Sequence, residues 1–134
     1  MPRHTFTHNN EFAEETISKM ISTDEVMNDC ILHKDSYVKS ALDVNQADGL
    51  DGIDVAPNQG KLFYLLAKLV NAKNILEVGT LGGYSAVWLA KALPSNGKLN
   101  TLELDQRQSE VARANIERAG FEDKVEVRIG PALL

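Results

Sequence analysis

Apolar residues along the chain change their period midway, and the change separates a helical N-terminal part from a part in which short strands alternate with helices. From Glu11 to about Met20, Phe12, Ile17 and Met20, with Ala13 nearby, fit one side of a short helix. Thr23, followed by Asp24 and Glu25, offers a cap and acidic first-turn residues for a second helix reaching about Leu42. Its apolar stripe is Val26, Cys30, Ile31, Tyr37, Val38, Ala41 and Leu42. Between Asp43 and Pro57 the pattern breaks into Gly and Asp, which predicts a loop carrying the isolated apolar residues Ile53 and Val55. Pro57, with a cap at Asn58, opens a third helix through about Asn71, with Leu62, Phe63, Leu65, Leu66, Leu69 and Val70 on its apolar side.

Beyond Asn71 the period shortens. Asn74 to Val78 reads as a buried strand and Gly79-Thr80-Leu81-Gly82-Gly83 as a tight turn. Tyr84 to Leu93 is a helix with Ala86, Val87, Leu89, Ala90 and Leu93 inward, ended by Pro94 and an Asn96-Gly97 turn. Lys98 to Leu104 is a second strand. Asp105 and Gln108 have capping-box spacing for a helix to Ala119, with Gly120 past its end, and Lys124 to Ile129 is a third strand. This order predicts an α/β fold with three parallel strands joined by helical crossovers. A parallel sheet is ordinarily covered on both faces and wider than three strands, so the expectation is a chain cut short or a sheet completed by another chain.

Length and charge narrow the class. The 134 residues suit one domain, and 19 acidic against 14 basic residues give a net charge of -5, which offers no general attraction for nucleic acid or an anionic membrane. Cys30 is the only cysteine, so an intrachain disulfide is excluded and a reducing, cytoplasmic compartment is the simple expectation. The N-terminus lacks the apolar run of a signal peptide, and no stretch is long and apolar enough to span a bilayer. Residues 1–10 read as a flexible polar tail, 11–56 as helices with a covering loop, and 57–134 as the α/β part.

The chemistry is concentrated in Glu77-Val78-Gly79-Thr80-Leu81-Gly82-Gly83-Tyr84-Ser85. Glycines there let the chain bend sharply and let a ligand approach the backbone, and the following helix aims its free N–H groups at the crevice. The next strand ends in Leu102-Glu103-Leu104-Asp105, where a carboxylate can accept the two hydroxyls of a ribose. The dinucleotide fingerprint Gly-x-Gly-x-x-Gly is not matched, because Thr80 and Leu81 separate Gly79 from Gly82. Glu77 beside the bend would repel a diphosphate and suit an amino group. An amino acid joined to adenosine meets all of these preferences; a glycine-rich turn used only for packing is the plain alternative.

Residues 56–134 resemble the cation-dependent O-methyltransferase family that includes catechol and caffeoyl-CoA O-methyltransferases. The resemblance is carried by Pro57-x-Gln59-Gly60, Leu76-Glu77-Val78-Gly79-Thr80-x-Gly82-Gly83-Tyr84-Ser85, Thr101-Leu102-Glu103-x-Asp105 and Val127-Arg128-Ile129-Gly130-Pro131-Ala132-Leu133. It implies the front half of a Rossmann-like methyltransferase domain whose cofactor is S-adenosylmethionine. By the same resemblance Glu77 and Gly79 flank the methionine part, and Tyr84 and Ser85 lie near its carboxylate. Glu103 is the ribose acid, Leu104 touches adenine, and Gly130, Pro131 and Ala132 form the adenine-side loop. Ile53 and Val55 close over the cofactor, while Leu81 and Gly83 contribute backbone, the side chains of Thr80 and Leu81 being less constrained. Relatives continue into segments that supply a divalent-cation (Mg) site and a lysine base, and these are not among the 134 residues. The implied activity, methyl transfer to a small vicinal-diol phenol, is therefore expected of a complete form and not of this chain alone. The alternative is a naturally short, non-catalytic nucleotide-binding or interaction protein. The unpaired edge of the first strand leads us to expect a homo-oligomer.

Other candidates have plainer explanations. His4 and His8 read as a solvated terminus, and His33, Lys34 and Lys39 as surface residues. Arg107, Arg113, Arg118, Lys124 and Arg128 are interleaved with acids and form a solvated face, not a nucleic-acid track. Trp88 belongs to the core and Tyr64 to a helix face. Asn45, Asp48, Asp51 and Asp54 superficially suggest calcium, but the glycine and terminal glutamate of an EF-hand are misplaced, and a loop over the site is preferred.

Overall fold

The structure is a computed structural model that describes residues 9–32, 36–50 and 53–133. His4, His8, His33, Lys34 and Asp51 lie outside the described residues. The elements are α1 (Asn9–Ile31), α2 (Ser36–Ala47), α3 (Pro57–Leu69), β1 (Asn74–Val78), α4 (Tyr84–Ala92), β2 (Lys98–Glu103), α5 (Gln106–Arg118) and β3 (Val125–Ile129). They divide into two units, α1 and everything from α2 onward.

The first unit corrects the N-terminal reading. The expected break at Thr23 is absent: α1 starts at Asn9 and runs through Thr23 to Ile31, and the second helix begins only at Ser36. The hydroxyls of Ser22 and Thr23 donate to the Lys19 carbonyl at 2.9 and 2.8 Å. Thr23 is thus satisfied inside the helix and caps nothing. In the second unit α2 runs to Ala47, so the first residues of the expected loop are helical. The reason is Asn45: a residue that favours turns when solvated is here fully buried and hydrogen-bonded to distant groups, and tertiary contacts outweigh its weak helix propensity.

From β1 onward the elements fall within one or two residues of those expected. The sheet is parallel in the order β1-β2-β3, with Glu77 opposite Thr101 and Thr101 opposite Val127. Burial alternates along β2: Leu99, Thr101 and Glu103 are buried on the face that α4 and α5 cover. Leu76 and Val78 on β1 point to the other face and are exposed. Helix α2 packs on α4 and α5, and α3 packs on α4.

The starts of α3 and α5 have local causes. Pro57 occupies the first turn of α3, where its missing N–H is not needed. The cap is Ala56, not Asn58; its backbone N–H donates to Gln59 Oε1 at 2.9 Å. Helix α5 starts as expected, with Asp105 Oδ1 accepting from the Gln108 N–H at 3.0 Å. Asp105 supplies this half of the box.

The core is centred on α4. Ala86, Val87 and Ala90 are fully buried, and Trp88 is 2 % exposed, as its core assignment required. Trp88 reaches α3 at Gly60, where a Cβ would lie 2.3 Å from its Cδ1. The Gln59-Gly60 pair thus has two separate physical uses, a cap and a seat for an indole. Tyr64 meets Trp88 edge to face, with centroids 6.3 Å apart.

Because neither ring nor helix can retreat without opening the α3–α4 contact, Gly60→Ala is expected to destabilise the fold by roughly 1–3 kcal/mol. Urea unfolding of the variant beside the parent protein checks this.

Candidate functional site

Strands β1 and β2 end level with one another, Val78 opposite Leu102. The bend that follows β1 and the carboxylate that ends β2 therefore meet. The Gly79 N–H donates to the Leu102 carbonyl at 2.9 Å, extending the ladder by one bond before the chain turns away. Gly79 and Gly83 have φ of 89° and 82°, which suits residues without a Cβ. Leu81 also lies at positive φ, 49°, a conformation that costs an ordinary residue roughly 1–2 kcal/mol.

Glu103 holds that conformation. Its Oε2 accepts the N–H groups of Thr80 at 3.0 Å and Leu81 at 2.8 Å. Its Oε1 accepts those of Leu104 at 2.8 Å and Asp105 at 3.0 Å. Burial pushes the carboxyl pKa up, but the four N–H donors together reverse that and leave it below the ordinary value. The donors of the bend are thus turned on an internal anion. A diphosphate would find them engaged, which agrees with the misfit of the dinucleotide fingerprint.

Glu77 lies on the same sheet face one strand away. Ser85 Oγ donates to its Oε1 and Thr101 Oγ1 to its Oε2, both at 2.6 Å. Burial dominates and raises its pKa, with the two hydroxyls opposing. Thr101 Oγ1 also lies 2.6 Å from Thr80 Oγ1, and both threonines are buried. The sequence left Thr101 unweighed and read the Thr80 side chain as less constrained, which its burial and hydroxyl contact correct. The available signal was Thr101 standing two residues before Glu103 and hence on the same face of β2.

An open cleft of about 410 Å³ lies beside the bend, lined by Val78, Gly79, Leu102, Glu103, Leu104, Gly130, Pro131, Ala132 and Leu133. Six expected site residues therefore share one cleft: Gly79, Glu103, Leu104, Gly130, Pro131 and Ala132. Gly130 is tied there by its N–H to the Glu103 carbonyl at 2.9 Å. Glu77, Leu81, Gly83 and Ser85 stand at the bend next to it. Tyr84 is buried at 1 % exposure, and burial raises the pKa of its phenol. Ile53 is 70 % exposed and Val55 half-buried, and neither lines the cleft.

Asp54, between Ile53 and Val55, is fastened to the bend through two asparagines. Asn45 Nδ2 donates to both Asp54 oxygens at 3.0 and 3.1 Å. Asn115 Nδ2 donates to Asn45 Oδ1 at 3.0 Å and to the Gly82 carbonyl at 2.8 Å. At Gly82 a Cβ would lie 1.9 Å from Asn45 Oδ1. Asn45 and Asp54 are thus parts of a buried amide network, and no metal-binding group of three His, Cys, Asp or Glu occurs among the described residues.

The O-methyltransferase family model matches residues 18–134. A catechol O-methyltransferase of Niastella koreensis is 46 % identical over 112 residues, covering 84 % of this chain and 51 % of that protein. The crystal structure of the O-methyltransferase from Bacillus cereus in complex with SAH superposes with a TM-score of 0.81 and 48 % identity, over 84 % of this chain and 51 % of that one. The O-methyltransferase TomG from Streptomyces achromogenes, involved in tomaymycin synthesis and solved in complex with SAM, gives 0.79 and 38 %, over 84 % and 50 %. The chain spans about half the length of the relatives it matches.

Because its folded pKa is depressed, Glu103 contributes stability above its unfolded value near 4.5, and that contribution is lost as pH falls through the folded pKa. Glu103→Gln is therefore expected to be less stable than the parent near neutral pH and to approach it in acid. Denaturant unfolding across that range shows whether the gap closes on the acid side.

Proposed function

Because the chain belongs to the O-methyltransferase family, we propose that the cleft beside Gly79 holds S-adenosylmethionine and that the whole protein methylates an oxygen of a small vicinal-diol phenol. One observation carries the reading: a buried carboxylate, Glu103, ends β2 in the cleft while bonded to the backbone of the glycine bend. Adenosine joined to an amino acid needs a ribose acceptor and an anion for its ammonium close together, and Glu103 and Glu77 are such a pair. Leu104, 73 % exposed, and the Gly130–Ala132 turn offer an apolar wall for adenine. Ser85 is placed near the amino-acid carboxylate, and Ile53 and Val55 are assigned to close the cofactor from the α2 side.

Bound S-adenosylmethionine supplies an electrophilic methyl group. The residues described here bind and orient it. A ribose hydroxyl enters the Glu103 carboxylate by exchange, since its four acceptor positions already hold backbone N–H groups. No described cluster suits a divalent cation, so no metal-dependent step is assigned to these residues. The 134-residue polypeptide by itself is expected to bind cofactor weakly and not to turn over.

We place a second copy of the chain against the sheet edge. Strand β1 pairs only with β2 among the described residues, and its Leu76 and Val78 are 68 % and 65 % exposed. Light scattering at high concentration is expected to show a dimer or larger species, and a monodisperse monomer would contradict this.

Calorimetry with S-adenosylhomocysteine tests the cofactor assignment. Binding is expected, weakened about tenfold or more by Glu103→Ala. No heat at millimolar ligand, in protein shown to be folded, would remove the proposal.

A further inference from the structure

The two carboxylates at the bend are joined through two threonines. Thr80 gives its N–H to Glu103, and its hydroxyl meets Thr101, which in turn donates to Glu77. A hydroxyl has one hydrogen. That of Thr101 is spent on Glu77 Oε2, so in the 2.6 Å contact between the two threonines Thr80 is the donor. The chain is therefore directional, Thr80 to Thr101 to Glu77, and Ser85 donates to the opposite oxygen.

This order has Oε2 of Glu77 as an acceptor, as it is in the ionised carboxylate. A proton on Oε2 would reverse both bonds and leave the Thr80 hydroxyl without its acceptor, in a side chain only 1 % exposed. The geometry points to Thr80 and Thr101 as positioning residues that keep Glu77 charged and aimed at the cationic amino-acid end of the bound cofactor, in fixed register with the ribose acid Glu103. The inference rests on the cofactor reading above and extends it to two side chains that touch no ligand.

The setting supports it. A buried carboxylate without donors would take up a proton, and burial is the largest influence on Glu77. On the elements that hold its two donors, the titratable residues next to them are Glu103, two residues past Thr101 on β2, and Tyr84, adjacent to Ser85 on α4. Glu103 is held ionised by its N–H donors, the Tyr84 phenol is pushed up by burial, and the influences on Glu77 are burial, Ser85 and Thr101.

Thr101→Val preserves shape and removes the donor; Thr101→Ser restores it, and Thr80→Val removes only the outer link. Carbon-13 carboxyl NMR of the full 134-residue chain reads the Glu77 titration without ligand. Calorimetry compares S-adenosylhomocysteine with adenosine, which lacks the amino-acid end. In Thr101→Val the Glu77 midpoint is expected to rise by roughly half a unit or more, and homocysteine-conjugate affinity to fall about fivefold or more while adenosine affinity stays within about twofold. Thr80→Val is expected to move both in the same direction by less, and Thr101→Ser to return them to the parent values. An unmoved Glu77 midpoint in folded Thr101→Val overturns the positioning role whatever the ligand does, and equal losses for the two ligands overturn it as general damage. A midpoint that moves in a protein whose parent form binds no S-adenosylhomocysteine instead overturns the cofactor reading, and this inference with it.

Discussion

The bond set between the Glu103 carboxylate and four backbone N–H groups is the constraint on which the site depends. It links the end of β2 to the bend after β1, holds Leu81 at a positive φ that a leucine does not adopt freely, and orders the first residues after the strand. Buried anions are tolerated when hydrogen-bonded, and here the donors come from the backbone that the anion shapes. The same arrangement has a chemical consequence. A bend whose Thr80 and Leu81 N–H groups are committed to an internal carboxylate has few donors left for a diphosphate.

Around this bond set, packing turns a flexible glycine segment into a defined wall. Asn45 and Asn115 fasten the far side of the bend at Gly82 and carry the fixation to Asp54. Trp88 seated on Gly60 fixes α3 against α4, the helix that begins at the bend. Thr80 and Thr101 link the two carboxylates, and Ser85 holds the other oxygen of Glu77, so neither acid lacks a donor. Each arrangement serves the same end, a preorganised crevice in which few groups must move when a ligand enters.

The α/β part was largely legible because its signals are local. Pro57, Gly79–Gly83, Pro94, Asp105 and Gly120 each act within a few residues, and the strands between them lie within one or two residues of their expected limits. The carboxylate that meets the glycine bend was legible for the same reason, through its place at a strand end. The N-terminal helices were not. Thr23 looks like a cap, but its hydroxyl turns back into the preceding helical turn. Asn45 looks like part of a loop, but partners nine and seventy residues away hold it in a helix. The side chain of Thr80 was read as less constrained and that of Thr101 was not weighed, because their mutual contact exists only once two strands lie side by side. Tertiary partners of this kind leave no mark on local periodicity.

The central claim is that the Glu103 carboxylate, already at the glycine bend, is the group that receives the ligand's sugar. Nitrogen-15 NMR of the backbone amides tests it most directly, since the four donors to that carboxylate report on its occupancy. Addition of S-adenosylhomocysteine is predicted to shift the amide signals of Thr80, Leu81, Leu104 and Asp105 together, with one saturation curve, as hydroxyls exchange for N–H donors. Saturable binding that leaves those four signals in place would contradict the account.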